Sequence, residues 1–237
     1  MDVVCVPAGT EANTTRIDIA FPVSRLSQYL NEPKEHHLNA AKRILRYLKG
    51  TPDYGLVFRA DNNNMDDHKL ELKSSELKEF TANQIVAYSD ADWATDKDNR
   101  KSVSGGIITH NGNIVHWFSK KQELTAMSTM EAEYIACSTT TKDIIWFQKW
   151  PKEIYGTTTP AILNCDNTSA ISFTKNDTNH SRTRHIDIRF HFIKDCVETG
   201  DLIVKYIPTD DQLADILTKN LPLDKFKYFR DKLLTKV

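Results

Sequence analysis

Four short segments of this chain each carry a carboxylate close to the end of a predicted strand or within a predicted helix. The first is the apolar run 85–89, which Asp90 closes, and the others are MEAEY (130–134), NCDN (164–167) and QLAD (212–215). Carboxylates collected from distant parts of one chain indicate a divalent-metal site, because Mg²⁺ prefers hard oxygen ligands. Two such ions about 4 Å apart, with positions open to substrate and water, are what a two-metal phosphodiester nuclease requires.

The composition is compatible with one globular core and a smaller appendage. The chain has 237 residues, of which 40% are hydrophobic and 27% are charged. No apolar run is long enough to cross a bilayer, and the first residues lack the basic flank and long apolar stretch of a secretory signal, so an intracellular location is expected. The four cysteines form no Cys-x-x-Cys pair, which argues against a zinc knuckle and against a disulfide scaffold; they are Cys5, Cys137, Cys165 and Cys196.

The net charge of −1 gives no sign of a nucleic-acid partner, so local charge is the better guide. Basic residues cluster at 42–49, 97–101, 120–121 and 182–185. Each cluster alone is typical of a solvated surface. Their joint placement beside the acid-bearing segments favours contacts with phosphates.

The first part of the chain predicts a small helical unit. Within residues 15–50, apolar side chains recur at three- and four-residue spacing, Pro33 lies where a first helical turn tolerates it, and Gly50 is expected to stop the helix. The stretch 61–83 is polar, turn-rich and acidic, which predicts a dispensable linker or surface insertion. Three units are therefore expected, at 1–60, 61–83 and 84–237.

From Gln84 onward the pattern changes to strands and helices in the order β-β-β-α-β-α-α-β-α. Asn111-Gly112, the strongest turn signal of the chain, predicts a hairpin between strands 102–110 and 113–118. Further strands are expected at 85–88, 161–165 and 202–207, and helices at 129–150, from 168, and at 185–198, 212–219 and 223–234. This order predicts an α/β fold in which helices cover the faces of a mixed sheet.

Seven motifs in this order carry a resemblance to a known family: AYSDADWA (87–94), RKSVSG (100–105), WFSKKQ (117–122), EAEYIA (131–136), DN (166–167), RHIDIR (184–189) and QLADILTK (212–219). They closely resemble the ribonuclease H domain of copia-type LTR-retrotransposon Pol polyproteins. The resemblance implies a ribonuclease-H-like fold with a mixed five-stranded sheet. It also makes residues 1–60 similar to the helical segment that joins such an element's reverse transcriptase to its ribonuclease H. The Tyr/Phe-x-Asp-Asp type polymerase motif is absent, so no DNA synthesis is expected of this chain alone.

By matching position, the resemblance implies four residues that are both catalytic and metal-binding: Asp90, Glu133, Asp166 and Asp215. They would hold two Mg²⁺ ions, for which Mn²⁺ is an alternative. Glu131 and Glu133 lie about 200° apart on a helix, so at most one faces the site, and Glu133 shares its face with Cys137. Asp92 shares a strand face with Asp90 and is either an auxiliary residue of the site or a turn cap.

The family's activity implies that the substrate is the RNA strand of an RNA/DNA hybrid. The reverse-transcriptase polymerase domain is a further expected partner, no membrane is, and an active element would place the chain in a cytoplasmic virus-like particle. Phosphate contacts are assigned to Arg100, Lys101, Lys120 and Lys121. Ser104 and Asn167 are assigned uncharged hydrogen bonds to nucleic acid, although turn or capping roles suit both equally.

One departure from the family and two other functions need to be weighed. Many ribonucleases H carry a histidine just before the fourth acid, whereas 208–212 has none; His185 could approach the site, but a helix histidine is more often a packing or surface residue. Asp166 and Glu198, with 31 residues between them, have nearly the spacing of an integrase acid pair, but no zinc-binding domain precedes them. The second alternative is a degenerate or host-retained fragment that binds hybrid without cutting it.

Overall fold

The fold was obtained as a computed structural model, which describes residues 10–58, 83–94, 100–156, 158–168 and 184–236. The predicted linker, apart from Asn83, lies outside the described residues. The short helix predicted from Thr168 also lies outside them, apart from that first residue. The division of the chain into three units therefore stays a prediction.

The described elements follow one another as five helices and seven strands. In chain order they are α1 (Ala20–Ser27), α2 (Glu35–Gly50), β1 (Tyr54–Gly55), β2 (Ile85–Asp92), β3 (Val103–His110), β4 (Asn113–Lys121), α3 (Thr129–Tyr155), β5 (Ala161–Cys165), α4 (Arg184–Glu198), β6 (Leu202–Tyr206), α5 (Leu223–Leu233) and β7 (Thr235–Lys236). Short 3₁₀ turns cover Ile17–Ile19, Thr209–Asp211 and Leu213–Leu217.

Five strands form one mixed sheet in the order β4-β3-β2-β5-β6. Strand β3 pairs antiparallel with both β2 and β4, while β5 pairs in parallel with both β2 and β6. The predicted α/β fold with a five-stranded mixed sheet is confirmed. A separate two-stranded sheet joins β1 to β7.

The hairpin between β3 and β4 turns at the dipeptide that predicted it. Asn111 and Gly112 both have positive φ angles, 49° and 76°. Two successive positive φ angles define the turn whose twist matches that of the flanking strands, which is why Asn-Gly favours it. The hairpin prediction is therefore confirmed.

Several predicted boundaries were wrong. Strand β2 continues four residues beyond Tyr88, because its pairing with β3 extends to Asp92, so Asp90 lies within a strand and not at its end. Gly50 is the last residue of α2, with Thr51 as its C-cap, and not the stop outside it. Helix α3 runs past Trp150 through Pro151 and ends at Gly156, whose φ is 74°.

The segment 212–219 is also not the regular helix that its spacing predicts. Leu213–Leu217 form a 3₁₀ turn, and all five of its residues are buried. A short, fully buried segment cannot present the solvated face that an amphipathic helix requires. The predicted helix at 223–234 is confirmed as α5, one residue shorter.

The core has two layers, one on each face of the sheet. One face packs Tyr88, Ile107 and Trp117 against the Leu213–Leu217 turn and Phe229 of α5. The other face packs alternate residues of the same strands, such as Ala87 and Ile108, against α3 and α4. This alternation follows from the two-residue period of a strand.

The described N-terminal residues share the first of these layers. Ile17 and Ala20 are buried in the same cluster as Tyr88, and the indole N–H of Trp117 donates to the carbonyl of Ala12 at 2.7 Å. The N-terminal unit therefore packs into the core of the sheet. Among the described residues, none of the helices combines the length and the apolar character needed to cross a membrane.

Candidate metal centre

The parallel pairing of β2 with β5 brings two of the predicted acids to one edge of the sheet. Tyr88 is the register partner of Asn164, so Asp90 and Asp166 each follow two residues later on neighbouring strand paths. Asp90 is buried and Asp166 is partly exposed. The hydroxyl of Thr209 donates to the Asp166 carboxylate at 2.9 Å, which fixes its orientation.

The first turn of α3 separates the roles of its two glutamates. The Glu131 carboxylate accepts a hydrogen bond from the backbone N–H of Met127 at 2.7 Å, and its own N–H donates to the side chain of Ser128 at 3.2 Å. This reciprocal cap uses Glu131 at the helix start. Glu133 is buried with 4% exposure, and its Oε2 has no hydrogen-bond partner among the described residues.

Hydrogen bonds hold the 3₁₀ turn that carries Asp215 against β2, the central strand of the sheet. Gln212 donates from its side chain to the carbonyl of Ser89 on β2 at 3.0 Å, while its Oε1 accepts from the N–H of Ala214 at 3.3 Å. At the other end of the turn, the Thr218 hydroxyl donates to the Asp90 carboxylate. Asp215, itself fully buried, is thereby held next to Asp90.

Two lysines provide the positive charge at this edge. Lys219 Nζ lies 2.8 Å from Asp215 Oδ1 and 3.6 Å from Asp90 Oδ2. Lys225 Nζ lies 3.1 Å from Asp215 Oδ2 and also approaches the exposed Asp210 at 3.7 Å. Burial lowers the pKa of Lys219, but the carboxylates of Asp90 and Asp215 outweigh it and raise the pKa above the ordinary value.

Burial disfavours the ionised form of two of the four acids. Burial raises the pKa of Asp90 to about 6, against the opposing effect of Lys219 and with a further increase from Asp215. Burial also raises the pKa of Glu133 well above its ordinary value, and the charges of Asp90, Cys165 and Asp166 add to the effect. Perturbed acids that act on one another in this way are typical of functional sites.

Three residues that could hold a metal ion lie together on the α3 side of the site. Ligand atoms of Glu133, Cys165 and Asp166 all lie within 4.8 Å of one another. The four predicted acids thus come from β2, α3, the end of β5 and the Leu213–Leu217 turn, and they interact at one sheet edge. Asp92, on the same strand face as Asp90, is partly buried and follows at the end of β2.

The predicted phosphate contacts lie at the same edge, two strands away. Ala91 is level with Ser104 and Lys120, and Asp92 is level with Val103 and Lys121, because the three strands are in register there. Lys120 is exposed, whereas Lys121 donates to Gln28 of α1 at 3.3 Å. Arg100 is exposed and Lys101 half-buried just before β3.

The remaining predicted residues differ in their placement. Ser104 is 3% exposed and its hydroxyl accepts from Gln122 at 2.8 Å, so it packs inside the sheet and is not placed to contact nucleic acid. Asn167 is half-buried next to Asp166. The side chain of His185 lies outside the described residues. Glu198, the integrase alternative, pairs with Lys194 on α4 at 3.5 Å with an exposed side chain.

Sequence reasoning missed the residues that organise the acids: Gln212, Thr218, Lys219 and Lys225. Three of them lie in the motif QLADILTK, where they were read only as part of a helix. A lysine four residues after an acid is a pairing signal that is visible in the sequence. The second partner of Lys219, Asp90, is not visible in the sequence, because Asp90 lies on β2, far away along the chain.

The sheet order and the carboxylate edge define a ribonuclease-H-like domain. Over 220 residues the chain is 40% identical to the retrovirus-related Pol polyprotein from transposon RE1 of Arabidopsis thaliana, and over 217 residues it is 38% identical to that from transposon TNT 1-94 of Nicotiana tabacum. Each match covers 92% of this chain. The chain is therefore homologous to one segment of copia-type retrotransposon Pol polyproteins. It spans only 14% and 15% of the lengths of these two relatives.

Two further comparisons complete these findings. The solved structure of LC11-RNase H1, isolated from compost by a metagenomic approach, is 20% identical with a TM-score of 0.44, covering 57% of this chain and 93% of that one. No family model matches the chain.

Proposed function

We propose that this chain is a ribonuclease H that hydrolyses the RNA strand of RNA/DNA hybrids during retrotransposon reverse transcription, with a divalent metal. The observation that supports this most strongly is the meeting of Asp90, Glu133, Asp166 and Asp215, from four separate segments, at one edge of the sheet. Homology to a segment of these Pol polyproteins supports the same proposal.

The residues present fit a hard divalent cation. Three of the four carboxyl groups are almost fully buried, and Glu133 Oε2 is a buried oxygen without a hydrogen-bond partner in the described part of the chain. Burying a charge in this way is costly unless a cation compensates it. We propose that these four acids hold two Mg²⁺ ions, or two Mn²⁺ ions in their place.

The bound ions would supply Lewis acidity toward a phosphate oxygen and lower the pKa of bound water. The chain's own residues set the geometry for that chemistry. Gln212 and Thr218 hold the turn of Asp215 against β2, and Thr209 orients Asp166. Preorganised ligands of this kind lose little entropy when the reaction proceeds.

The hybrid would lie across the carboxylate edge toward the end of β4. Lys120 presents its exposed ammonium there, with Arg100 and Lys101 preceding β3 at the same end. Such cations hold phosphates without reading sequence. The polymerase domain of the same polyprotein is the proposed protein partner, and a cytoplasmic virus-like particle the proposed location.

The proposal is tested by Asp166→Asn with a labelled RNA/DNA hybrid. An amide keeps the shape of the side chain and loses the charge that holds a metal ion, so Mg²⁺-dependent cleavage should fall to background while hybrid binding, measured by fluorescence anisotropy, is kept. The matched control is Asp143→Asn, because Asp143 pairs with His116 at 3.5 Å on the surface away from the four acids. This control should cleave like the wild type.

A different result would favour the non-catalytic alternative. Wild-type protein that binds hybrid, but neither cleaves it nor gains thermal stability with Mg²⁺ or Mn²⁺, would contradict the enzyme proposal. A chain of that behaviour would be a hybrid-binding fragment.

A further inference from the structure

Lys219 occupies a position between two of the proposed metal ligands. Its Nζ lies 2.8 Å from Asp215 Oδ1 and 3.6 Å from Asp90 Oδ2, so one ammonium group is shared by acids from two segments. Both carboxylates are buried, with side-chain exposures of 0% and 2%, while the lysine side chain keeps 32% exposure. The cation therefore reaches the buried acids from the solvent side.

The spacing of Lys219 and Asp215 along the chain favours their contact. Lys219 follows Asp215 by four residues, and the backbone N–H of Lys219 donates to the Asp215 carbonyl at 3.3 Å, which turns the side chain back over the acid. Its neighbour Thr218 donates to the Asp90 carboxylate. Thr218 and Lys219, which are adjacent in the chain, therefore both connect the turn that carries Asp215 to Asp90 of β2.

Lys225 differs from Lys219 in its second partner. Lys225 approaches Asp215 from the other oxygen, at 3.1 Å, and its second contact is Asp210, whose side chain is 98% exposed. In the described part of the chain, the ion pairs of Lys225 are with Asp215 and Asp210, and none is with Asp90. Among the described residues, Lys219 is thus the lysine placed between Asp90 and Asp215.

We infer that Lys219 is the resident counter-cation of the carboxylate site: it holds Asp90 and Asp215 together in the metal-free protein, and a divalent ion must displace it to bind both acids. This inference rests on the proposed function. A metal ion bound by both acids would lie about 2 Å from an oxygen of each. An ammonium group already in contact with both oxygens competes for the same space and charge.

Displacement of Lys219 is compatible with its side chain. Lysine carries a point charge on a flexible four-carbon stem, so the ammonium can leave the acids and remain near the site. The partial exposure of Lys219 gives it solvent to move into. Its charge would then lie at the edge where a phosphate approaches.

The test compares Lys219→Met with wild type by calorimetric titration with Mg²⁺ and by thermal unfolding in EDTA. Without the competing cation, the Mg²⁺ concentration at half-saturation should fall roughly tenfold, because a full positive charge a few ångströms from the ion has been removed. The metal-free melting temperature should fall, because Asp90 then loses its counter-charge and Asp215 keeps only Lys225. Lys194→Met is the matched control, since Lys194 has a similarly low exposure of 20% and pairs with Glu198 on α4.

An unchanged or higher half-saturating Mg²⁺ concentration in Lys219→Met, with an unchanged control, would overturn the inference while leaving the proposed function intact. If neither protein binds Mg²⁺ or Mn²⁺, both ideas fail together. Should the methionine variant not fold in EDTA, Lys219→Gln provides the same comparison, because it removes the charge and keeps a polar end. Tighter metal binding by either variant supports the inference.

Discussion

At the scale of single residues, the site concentrates charges that the fold does not neutralise. Glu133 is buried, with one carboxyl oxygen that has no hydrogen-bond partner among the described residues, and Asp90 lies close to Asp215. Two lysines offset part of this charge but do not reach Glu133 among the contacts described. Residues that cost stability and remain in place are the ones expected to serve a function.

The pH dependence of stability follows from these acids. The pKa of Asp90 is about 6 in the fold and near 3.8 ordinarily, so the folded state holds its proton longer than the unfolded chain. Stability from this group is therefore greatest at low pH and is lost as pH rises from about 4 through about 6; Glu133 extends the loss to higher pH. In EDTA, the melting temperature of wild type should fall more steeply between about pH 4 and about pH 6 than that of Asp90→Asn, because this is the range in which Asp90 loses its proton. Equal slopes would contradict the assignment.

Glu133→Gln should stabilise the metal-free protein while abolishing its response to metal. The amide removes a buried charge that has no partner, so near pH 8 we expect a gain on the order of 1 kcal/mol in the free energy of unfolding. Urea denaturation in EDTA and in Mg²⁺ measures both effects. Glu131→Gln is the comparison, because Glu131 caps α3 and should keep the Mg²⁺ response.

At the scale of elements, the approach of the Leu213–Leu217 turn to β3 depends on a missing side chain. A Cβ on Gly105 would lie 2.7 Å from Thr218 Cγ2 and 2.8 Å from Leu217 Cβ. Gly105 is also the register partner of Asp90. The glycine therefore lets the turn that carries Asp215 lie directly on β3, beside Asp90 of the neighbouring strand β2.

Gly105→Ala should separate these two elements. Overpacking at this contact is expected to cost about 1–3 kcal/mol of stability and to weaken Mg²⁺ binding, because Asp215 moves away from Asp90. Gly50→Ala is the control, since a Cβ there meets nothing within 4 Å and alanine is the better helix former. Calorimetric metal titration distinguishes a displaced site from a general loss of stability. Wild-type affinity in Gly105→Ala would show that the turn tolerates the methyl group.

At the scale of the whole molecule, the N-terminal unit and the sheet fold around common contacts. Arg16 and Asp18 form a buried ion pair at 2.9 Å, and Tyr47 of α2 donates to the same carboxylate at 2.5 Å. Arg16 also donates to the carbonyl of Thr51 at 2.9 Å, just before β1 pairs with β7. The unit that resembles a connection segment is thus tied to the end of the chain.

Asp18→Ala should therefore destabilise the entire chain. Removing one partner of a buried ion pair leaves Arg16 uncompensated at 5% exposure, which typically costs about 3–5 kcal/mol. Chemical denaturation is followed by tryptophan fluorescence, to which Trp117 of β4 contributes, and by far-ultraviolet circular dichroism, which reports on helices and strands together. Two separate transitions would show that the two parts are independent.

The sequence by itself determined what depends on near neighbours along the chain. The Asn-Gly hairpin, the apolar run of β2 and the order of strands and helices are set by turn chemistry and side-chain pattern, and they predicted the mixed sheet. The family motifs also marked the four acids. Their roles as metal ligands stay predictions.

Only the tertiary structure decided which groups meet across the chain. The register of β2 with β3 lengthened the strand beyond Tyr88, and full burial made Leu213–Leu217 a 3₁₀ turn where spacing predicted a helix. The contact of Lys219 with Asp90 joins residues far apart in sequence, and so does the packing of Ile17 against the sheet. Such contacts depend on strand register and core packing, and the local sequence pattern around each residue does not predict them.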